Sequence, residues 1–370
     1  MNEIKLPFVV KLPLALLSIL ALSYILWAGQ TIIAPFFLAL LFAFLFLPFA
    51  NFLERKLRFS RGISTLSSVA VVLLGFWGAG YFFSSQLADF KNDIPQLQIQ
   101  FSETFNVLQE WISRTFQINS DEQINYIDMG MNQLLSSSGQ ILGVTVGIFT
   151  SGFGFLLFFI FFFIFILNYR RILNRFIVRV FQEEHKHKVK EVVAEVRQMT
   201  KSYIVGLCIQ ITIVSLLTFG MLTLVGVKYA LLLGILTGLL NVIPYIGVLV
   251  SLLISCFIAF ATNTPITCLY VILGYGIIHV IDANIVLPFV VGSKVKINAL
   301  FSFLGILVGE QLWGISGMLL CIPALAILKI IFDHVESLKP WGILLGEEKR
   351  PKRAKRKIKV TKKIVFEEKD

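Results

Sequence analysis

The chain has 370 residues, of which 56% are hydrophobic and 15% charged, and its mean hydropathy is +0.81. A water-soluble domain carries roughly 25% charged residues, so this composition excludes an ordinary soluble globule. The net charge of +11 does not indicate a nucleic-acid-binding protein, because the basic residues lie between apolar runs and in the C-terminal tail.

The apolar runs reach the length of about 20 residues that crosses a bilayer. They predict an all-α polytopic membrane protein with about eight transmembrane helices, some broken or re-entrant, and an extracytoplasmic amphipathic helical segment. The first run follows Lys5 and Lys11, and we expect a retained helix rather than a signal peptide because it is a full span and another span follows at once. The predicted spans are 9–28, 31–52, 62–85, 141–168, 203–226, 229–260, 266–290 and 299–332.

The spans divide the chain into six parts. In chain order these are an N-terminal membrane hairpin with the third span (1–85), an extracytoplasmic helical segment (86–140), a fourth span (141–168), a cytoplasmic amphipathic helix (169–202), a C-terminal membrane core (203–335) and a basic cytoplasmic tail, largely disordered (336–370).

The loop charges indicate which side of the membrane each loop faces. Segment 54–61 has four Lys/Arg against one acid, 169–201 has nine against four, and the tail after residue 346 has eleven against five. Segment 86–140 has two against seven. The positive-inside rule predicts a bacterial cytoplasmic (inner) membrane protein with both termini in the cytoplasm and 86–140 outside. Lys294 and Lys296 then face outward, against the rule.

Three further segments carry predictions about packing and partners. Apolar residues recur at helical spacing from Leu97 to Ile112, which predicts amphipathic helices lying on the membrane or on neighbouring subunits. A second apolar stripe, from Val189 to Met199, predicts a cytoplasmic packing helix. Ten of the fifteen residues in 349–363 are basic, which predicts a disordered tether to anionic lipid headgroups. The four cysteines have no ligand spacing, so neither a metal nor another cofactor is expected.

The segment from Asn241 to Gly247 interrupts the long run 229–260. Pro244 removes a helical hydrogen bond, Tyr245 follows it, and Gly247 loosens the backbone further. Freed backbone groups at membrane depth must be satisfied by protein or by water. The segment is therefore a candidate solute or ion site in a broken helix, or a kink that neighbouring helices fill.

Ionisable residues recur in the next span. His279 and Asp282 are three residues apart and are expected to share a helix face, and Asn284 and Pro288 follow them. An ionised residue within a span costs roughly 2.5–3.5 kcal/mol on insertion scales and indicates function. His279 and Asp282 are therefore candidate proton handlers, with an internal polar clamp or an interfacial position as the alternative.

Glu310 is a third candidate acid, placed within the last predicted span. The neighbouring glycines Gly305, Gly309, Gly314 and Gly317 have the spacing that permits close helix packing. Packing does not account for Glu310, so we include it among the candidate pathway residues.

Together these segments resemble the autoinducer-2 exporter-like (AI-2E) family of bacterial permeases. The resemblance rests on KSYIVGLCIQ, GVKYALLLGILTGLLNVIPYIG, NIVLPFVVGSKVKINAL and LWGISGMLLCIPALAILK, and it covers nearly the whole chain except the tail. It implies an eight-helix, homo-oligomeric permease, with exporters of the signal autoinducer-2 and sodium/proton antiporters among its members. The positions that match the family pattern are Asn241, Pro244, Tyr245, Gly247, Asn284, Pro288, Gly314, Gly317 and Pro323.

The sequence therefore predicts a membrane transport protein, an ion-coupled or facilitative exporter of a small polar solute such as a signalling molecule. A monovalent cation (sodium or lithium)/proton antiporter is the alternative within transport, and a non-transporting membrane scaffold is the alternative from another class. No phosphate-binding loop, nucleophile–base pair or metal-ligand set is visible in the sequence, so we expect neither direct ATP coupling nor an enzyme.

Overall fold

The computed structural model describes residues 7–116, 138–243, 246–288 and 297–347. The tail beyond 347, together with Pro244, Tyr245, Lys294 and Lys296, lies outside the described residues. The helices are α1 (Phe8–Ala28), α2 (Gln30–Lys56), α3 (Arg61–Phe116), α4 (Ser138–Val180), α5 (Lys186–Val225), α6 (Ala230–Leu240), α7 (Ile246–Thr262), α8 (Pro265–Ile281), α9 (Ala299–His334) and α10 (Lys339–Leu345).

The surface of these helices is suited to lipid. Within the described ranges, six helices are long and apolar enough to cross a membrane. Large apolar side chains such as Leu66, Trp77 and Leu224 are exposed on them, which only an apolar solvent favours. The predicted fold class, an all-α polytopic membrane protein, is confirmed.

Two helices extend beyond the predicted spans. Helix α3 runs from the third span to Phe116, so the amphipathic part of the outer segment belongs to the same helix instead of forming a separate one. Helix α5 joins the predicted cytoplasmic helix to the following span, since no glycine or proline lies between Lys186 and Tyr203 to end it. Val192 and Val196 of its apolar stripe pack against a buried cluster that includes Tyr203.

Four basic chain segments meet at one end of the molecule, which we call the basic end. On α4, the Arg170 guanidinium donates a hydrogen bond of 2.6 Å to Glu54 Oε1 on α2. Arg61, at the start of α3, and Arg197, near the start of α5, line the same groove as this pair. The two loops predicted to be cytoplasmic therefore lie on the same side.

Helices α6 and α7 form a hairpin whose base lies at the opposite end of α5. There Asn263 Nδ2 donates to the carbonyl oxygen of Gly226 at 3.2 Å. Helix α6 has only 11 residues, about 16 Å, which is too short to cross a hydrocarbon core of about 30 Å. At the tip, a methyl group on Gly247 would overlap the backbone of Leu240. The predicted interruption of 229–260 is confirmed, and the chain enters and leaves on one side.

Helix α9 also forms a hairpin, in place of the single span predicted for 299–332. The backbone is non-helical at Trp313 and at Gly314, where φ is 58°, in the left-handed region that favours glycine. Gly309 and Gly317 are in backbone contact, although eight residues of straight helix would separate them by about 12 Å. The single-span prediction is therefore wrong, because hydropathy does not detect a glycine turn between two equally apolar legs.

The α9 hairpin has two legs, 299–312 and 315–334. The first leg begins at the basic end, and the second leg returns to it. Ile297, at the base, is buried in one cluster with Met199 of α5. At the tip, Trp313 Nε1 donates at 2.8 Å to a backbone carbonyl near the end of α1. Ile297 therefore lies at the basic end, because α9 turns back instead of crossing once as the predicted topology assumed. Lys294 and Lys296, which were expected to face outward, lie outside the described residues.

Asp93 connects the C-terminal half of α3 to the base of the α6–α7 hairpin. Its carboxylate accepts hydrogen bonds from the Lys228 ammonium and from the Tyr229 hydroxyl. Two hydrogen bonds hold the pKa of Asp93 below its ordinary value of 3.8. The bond from Lys228 has the larger effect and the bond from Tyr229 the smaller. The contact therefore stays ionised at neutral pH and fixes the hairpin base against α3.

The backbone contact within the α9 hairpin predicts the effect of a substitution at Gly317. We expect Gly317→Ala to destabilise the protein by about 2 kcal/mol or more, because the added methyl group would overlap the Gly309 carbonyl. Thermal unfolding of purified protein in detergent measures the effect. Gly276→Ala on α8, where a methyl group meets open space, is the matched control, and equal melting temperatures for the two variants would contradict the hairpin.

The Asp93 contact predicts a pH dependence of stability. Because the pKa of Asp93 is lowered in the folded protein, its stabilising effect is fully present above the ordinary value of 3.8 and is lost as the pH falls through the lower folded value. Asp93→Asn should therefore lower the melting temperature by a constant amount between pH 5 and pH 8, and the difference should shrink in stronger acid. A difference that grows on acidification would contradict the ion pair.

Candidate functional site

Asp282 is the only charged side chain that is buried among the described residues, with 8% of its surface exposed. It begins the π-helical turn Asp282–Val286, which continues α8. Single π-helical turns within α-helices recur at functional sites, because they re-aim side chains at the cost of regular hydrogen bonding. The turn places the carboxylate inside the membrane core of the protein.

Two amide side chains from other helices hold this carboxylate. Gln210, in the middle of α5, donates from Nε2 to both carboxylate oxygens of Asp282, at 3.0 and 3.1 Å. Asn241, at the tip of the α6–α7 hairpin, donates from Nδ2 to Oδ2 at 3.0 Å. The site thus joins three separate elements, and one of them is the tip of a hairpin that does not cross the membrane.

The hydrogen bonds leave part of the carboxylate free. An ionised carboxylate offers about four lone-pair positions. The bonds to Gln210 and Asn241 occupy one position on Oδ1 and two on Oδ2. One position on Oδ1 therefore remains for a proton, a cation or a hydroxyl donor.

The charge of Asp282 is also without a counter-ion. Asp282 forms no ion pair with any residue in the described part of the chain. Two neutral amides satisfy the geometry of a buried carboxylate but do not neutralise it, and an unpaired buried charge is costly. The site therefore favours binding a proton, a cation or a polar group.

Asn241 and Asp282, both predicted from the sequence, are brought together here. Gly247 follows Asn241 by six residues and is buried against Leu240, where it closes the hairpin tip. Pro244 and Tyr245 lie outside the described residues. The polar tip of the hairpin is thus part of the Asp282 site.

His279 does not join this site, although it was expected to share a face with Asp282. The buried face of α8 runs through Val271, Tyr275 and Ile278 to Asp282, with spacings of four, three and four residues. His279 is one residue, about 100°, beyond Ile278 and is exposed. The three-residue spacing alone did not determine whether His279 lies on the buried face of α8 together with Asp282.

The remaining predicted residues are also away from the buried carboxylate. Asn284 is exposed and donates to the carbonyl of Val280 in its own helix at 2.9 Å. Pro288 is exposed at the end of the same stretch. Glu310 is exposed near the tip of the α9 hairpin, where it accepts a hydrogen bond from Gln311 at 3.2 Å. The expectation that Glu310 is buried is wrong, because the chain turns just after it.

Gln210 was missed by the sequence reasoning, although it is 5% exposed and donates two hydrogen bonds to the site. The signal was available: Gln210 is a lone amide in the apolar run 203–226. A polar side chain inside a span needs a partner in the bundle. The sequence does not identify that partner, since Asp282 is 72 residues away.

A second buried polar cluster stabilises the α6–α7 hairpin. The Tyr275 hydroxyl is within hydrogen-bonding distance of Thr237 Oγ1 on α6, at 2.8 Å, and of Ser255 Oγ on α7, at 2.7 Å. All three side chains are almost completely buried. The cluster contains no charge and ties both hairpin legs to α8, so its role is structural.

The chain is similar to known proteins over most of its length. The family model described as "AI-2E family transporter" matches residues 16–337. YrrI of Bacillus subtilis (strain 168) is 26% identical over 325 residues, covering 82% of this chain and 87% of YrrI. The AI-2 transport protein TqsA of Escherichia coli (strain K12) is 24% identical over 321 residues, covering 85% of this chain and 90% of TqsA. YhhT of the same strain is 31% identical over 131 residues, covering 35% of this chain and 37% of YhhT.

The Tyr275 cluster predicts a stability effect. Tyr275→Phe removes the hydroxyl that Thr237 and Ser255 share, so we expect it to lower the free energy of unfolding by about 1–2 kcal/mol. Thermal unfolding in detergent is the measurement. Tyr270→Phe, the same change on the exposed face of the same helix, should have little effect, and equal effects of the two substitutions would contradict the cluster.

Proposed function

The chain belongs to the AI-2E transporter family and is a multi-pass membrane transport protein, and we propose that it exports a small polar solute through a pathway controlled by Asp282. The observation that carries the proposal is the buried carboxylate, which has one open acceptor position and no counter-ion among the residues that the structure describes. A cation or a proton satisfies both deficits of the site at once, and a hydroxyl donor satisfies the open acceptor position.

Asn241 connects occupancy of this site to movement of the hairpin. Its amide binds Asp282 from the tip of the α6–α7 hairpin. A proton, a cation or a solute hydroxyl at the open position on Oδ1 draws charge from the carboxylate, and this weakens the charge-assisted hydrogen bond that Asn241 donates to Oδ2. Occupancy would weaken the contact that holds the tip against α8, and the tip would then be free to move. In this proposal the hairpin is the gate, in keeping with transporters whose binding sites lie at discontinuous helices.

The chemistry of the site favours a hydroxyl-bearing solute. The open position of Asp282 is an acceptor, and the surrounding helices are apolar. TqsA, which shares 24% identity, is named for transport of AI-2. A small polar signalling molecule is therefore the first solute to test with this chain.

A monovalent cation/proton antiporter is the second candidate, and the same site supports it. The side chains of Gln210 and Asn241 each carry a carbonyl oxygen besides the amide nitrogen that faces Asp282. A rotation of both amides would offer a carboxylate and two carbonyl oxygens, the ligand type that hard cations prefer. Exchange of sodium for a proton on one carboxylate is then the coupling step.

We also propose that the basic end faces the cytoplasm of a bacterial inner membrane. The grouping of Arg61, Arg170 and Arg197 at that end supports this orientation through the positive-inside rule. The α6–α7 hairpin then enters from outside and the α9 hairpin from inside.

Asp282→Asn tests the proposed function, because the amide keeps the shape of the side chain and removes its charge. In proteoliposomes we expect it to reduce transport by tenfold or more, without a loss of thermal stability. Autoinducer-2 flux and sodium-driven proton movement are measured on the same preparations, so that the two transport candidates are separated.

Glu103→Gln, which neutralises an exposed acid on the outer part of α3, is the control and should transport normally. Wild-type flux by folded Asp282→Asn would refute the role of Asp282. Absence of any flux in the wild-type protein, combined with a phenotype that depends on the tail, would favour the scaffold alternative.

A further inference from the structure

A groove at the basic end is separate from the proposed transport site and is lined by different residues. It lies between α2 and α4, is bordered by the starts of α3 and α5, and has a volume of about 750 Å³. Gln210, Asn241 and Asp282 do not line it. Its deep part is apolar, with Phe36, Leu40 and Phe44 on α2 facing Ile166 and Leu167 on α4.

The mouth of the groove is strongly cationic. Five arginines line it, against one acid. Glu54 accepts hydrogen bonds from Arg170 at 2.6 Å and Arg171 at 3.5 Å, so one acid neutralises one of these two charges. The arginines at the mouth are Arg55, Arg61, Arg170, Arg171 and Arg197.

Arg197 points to a ligand independently of the number of arginines. Its Nε–H is buried and has no hydrogen-bond partner within the described part of the chain, and a buried guanidinium donor without an acceptor is costly. Arg197 borders both this groove and a neighbouring one, where Lys201 and Asn51 accompany it. An anion at the mouth would accept this hydrogen bond and balance the excess positive charge.

The apolar depth of the groove distinguishes a lipid from a soluble anion. Between Phe36 and Arg55 the groove follows α2 for about 28 Å, which is longer than one leaflet of the hydrocarbon core at about 15 Å. Phe36 is exposed along it, and Leu40 and Phe44 are half-buried, so its side is open to the bilayer. A free phosphate would use only the mouth and would leave the apolar walls uncovered.

We propose that this groove binds an anionic phospholipid, with its phosphate at Arg197 and the neighbouring arginines and an acyl chain between α2 and α4. Arginine forms bidentate, charge-assisted hydrogen bonds with phosphate. The bound lipid bridges α2, α4 and α5, since each of them contributes to the groove. Binding in this groove differs from the loose attraction of the basic tail to anionic headgroups, because the groove has fixed walls and a buried hydrogen-bond donor.

Native mass spectrometry of the full-length protein in detergent tests the proposal, with added phosphatidylglycerol, phosphatidylcholine or inorganic phosphate. We expect phosphatidylglycerol to bind preferentially and to raise the melting temperature. Arg197→Gln should weaken that binding about tenfold and leave phosphatidylcholine binding unchanged. Arg61→Gln, at an exposed position on the groove mouth, should weaken it as well and serves if Arg197→Gln does not fold.

Arg179→Gln, an exposed arginine of α4 outside the groove, is the matched control and should bind lipid as the wild type does. Equal binding of the two lipids would overturn the proposal, as would unchanged phosphatidylglycerol binding in both groove variants. Displacement of phosphatidylglycerol by inorganic phosphate alone would indicate a soluble-anion site and would also overturn it. Binding is measured without transport, so its result is independent of the Asp282 experiment.

Discussion

The burial of one carboxylate in an apolar bundle constrains the arrangement of the C-terminal membrane core. A charged group in lipid requires hydrogen-bond donors from the protein, because no water is present to supply them. Asp282 obtains these donors from Gln210 on α5 and Asn241 on the α6–α7 hairpin. The same hydrogen bonds that make the carboxylate tolerable therefore fix the position of the hairpin tip. The hydrogen bonds stabilise the buried carboxylate enough for the arrangement to form. Because the two amides leave its charge unbalanced, the site remains open to a ligand.

Two hairpins, each of which begins and ends at the same end of the bundle, give the core its shape. The α6–α7 hairpin starts from the end where Asn263 meets Gly226, and the α9 hairpin starts from the basic end, where Ile297 is buried. Glycines permit the tight backbone contact within each hairpin. Each tip reaches partners on other helices, a carboxylate for one and a backbone carbonyl of α1 for the other. Hairpins entering from opposite ends are the elements we expect to move in transport.

Much of the fold was predictable from the sequence, and the limits have physical causes. Hydropathy located the spans, and the segment from Asn241 to Gly247 predicted the break between α6 and α7, because its polar and helix-breaking residues interrupt an apolar run. The turn at Gly314 was not predictable from hydropathy, since the residues on both sides are equally apolar. The prediction of the site was limited because the sequence did not determine which side of each helix is buried. Asp282 was identified correctly, whereas His279 and Glu310 are exposed. Identifying Gln210 as a site residue would have required knowing that its partner lies 72 residues away in the sequence.

Chemical labelling of Asp282 tests the central claim, that its carboxylate is the group that binds the transported solute or the coupling ion. A hydrophobic carbodiimide reacts with protonated carboxyl groups inside membranes, and mass spectrometry of the digested protein locates the adduct. We expect an adduct at Asp282 whose yield falls when autoinducer-2 or sodium is added at constant pH, because the ligand occupies the open position on Oδ1. Labelling of Asp282 that neither ligand reduces, or its complete absence while exposed Glu310 reacts, would contradict the account.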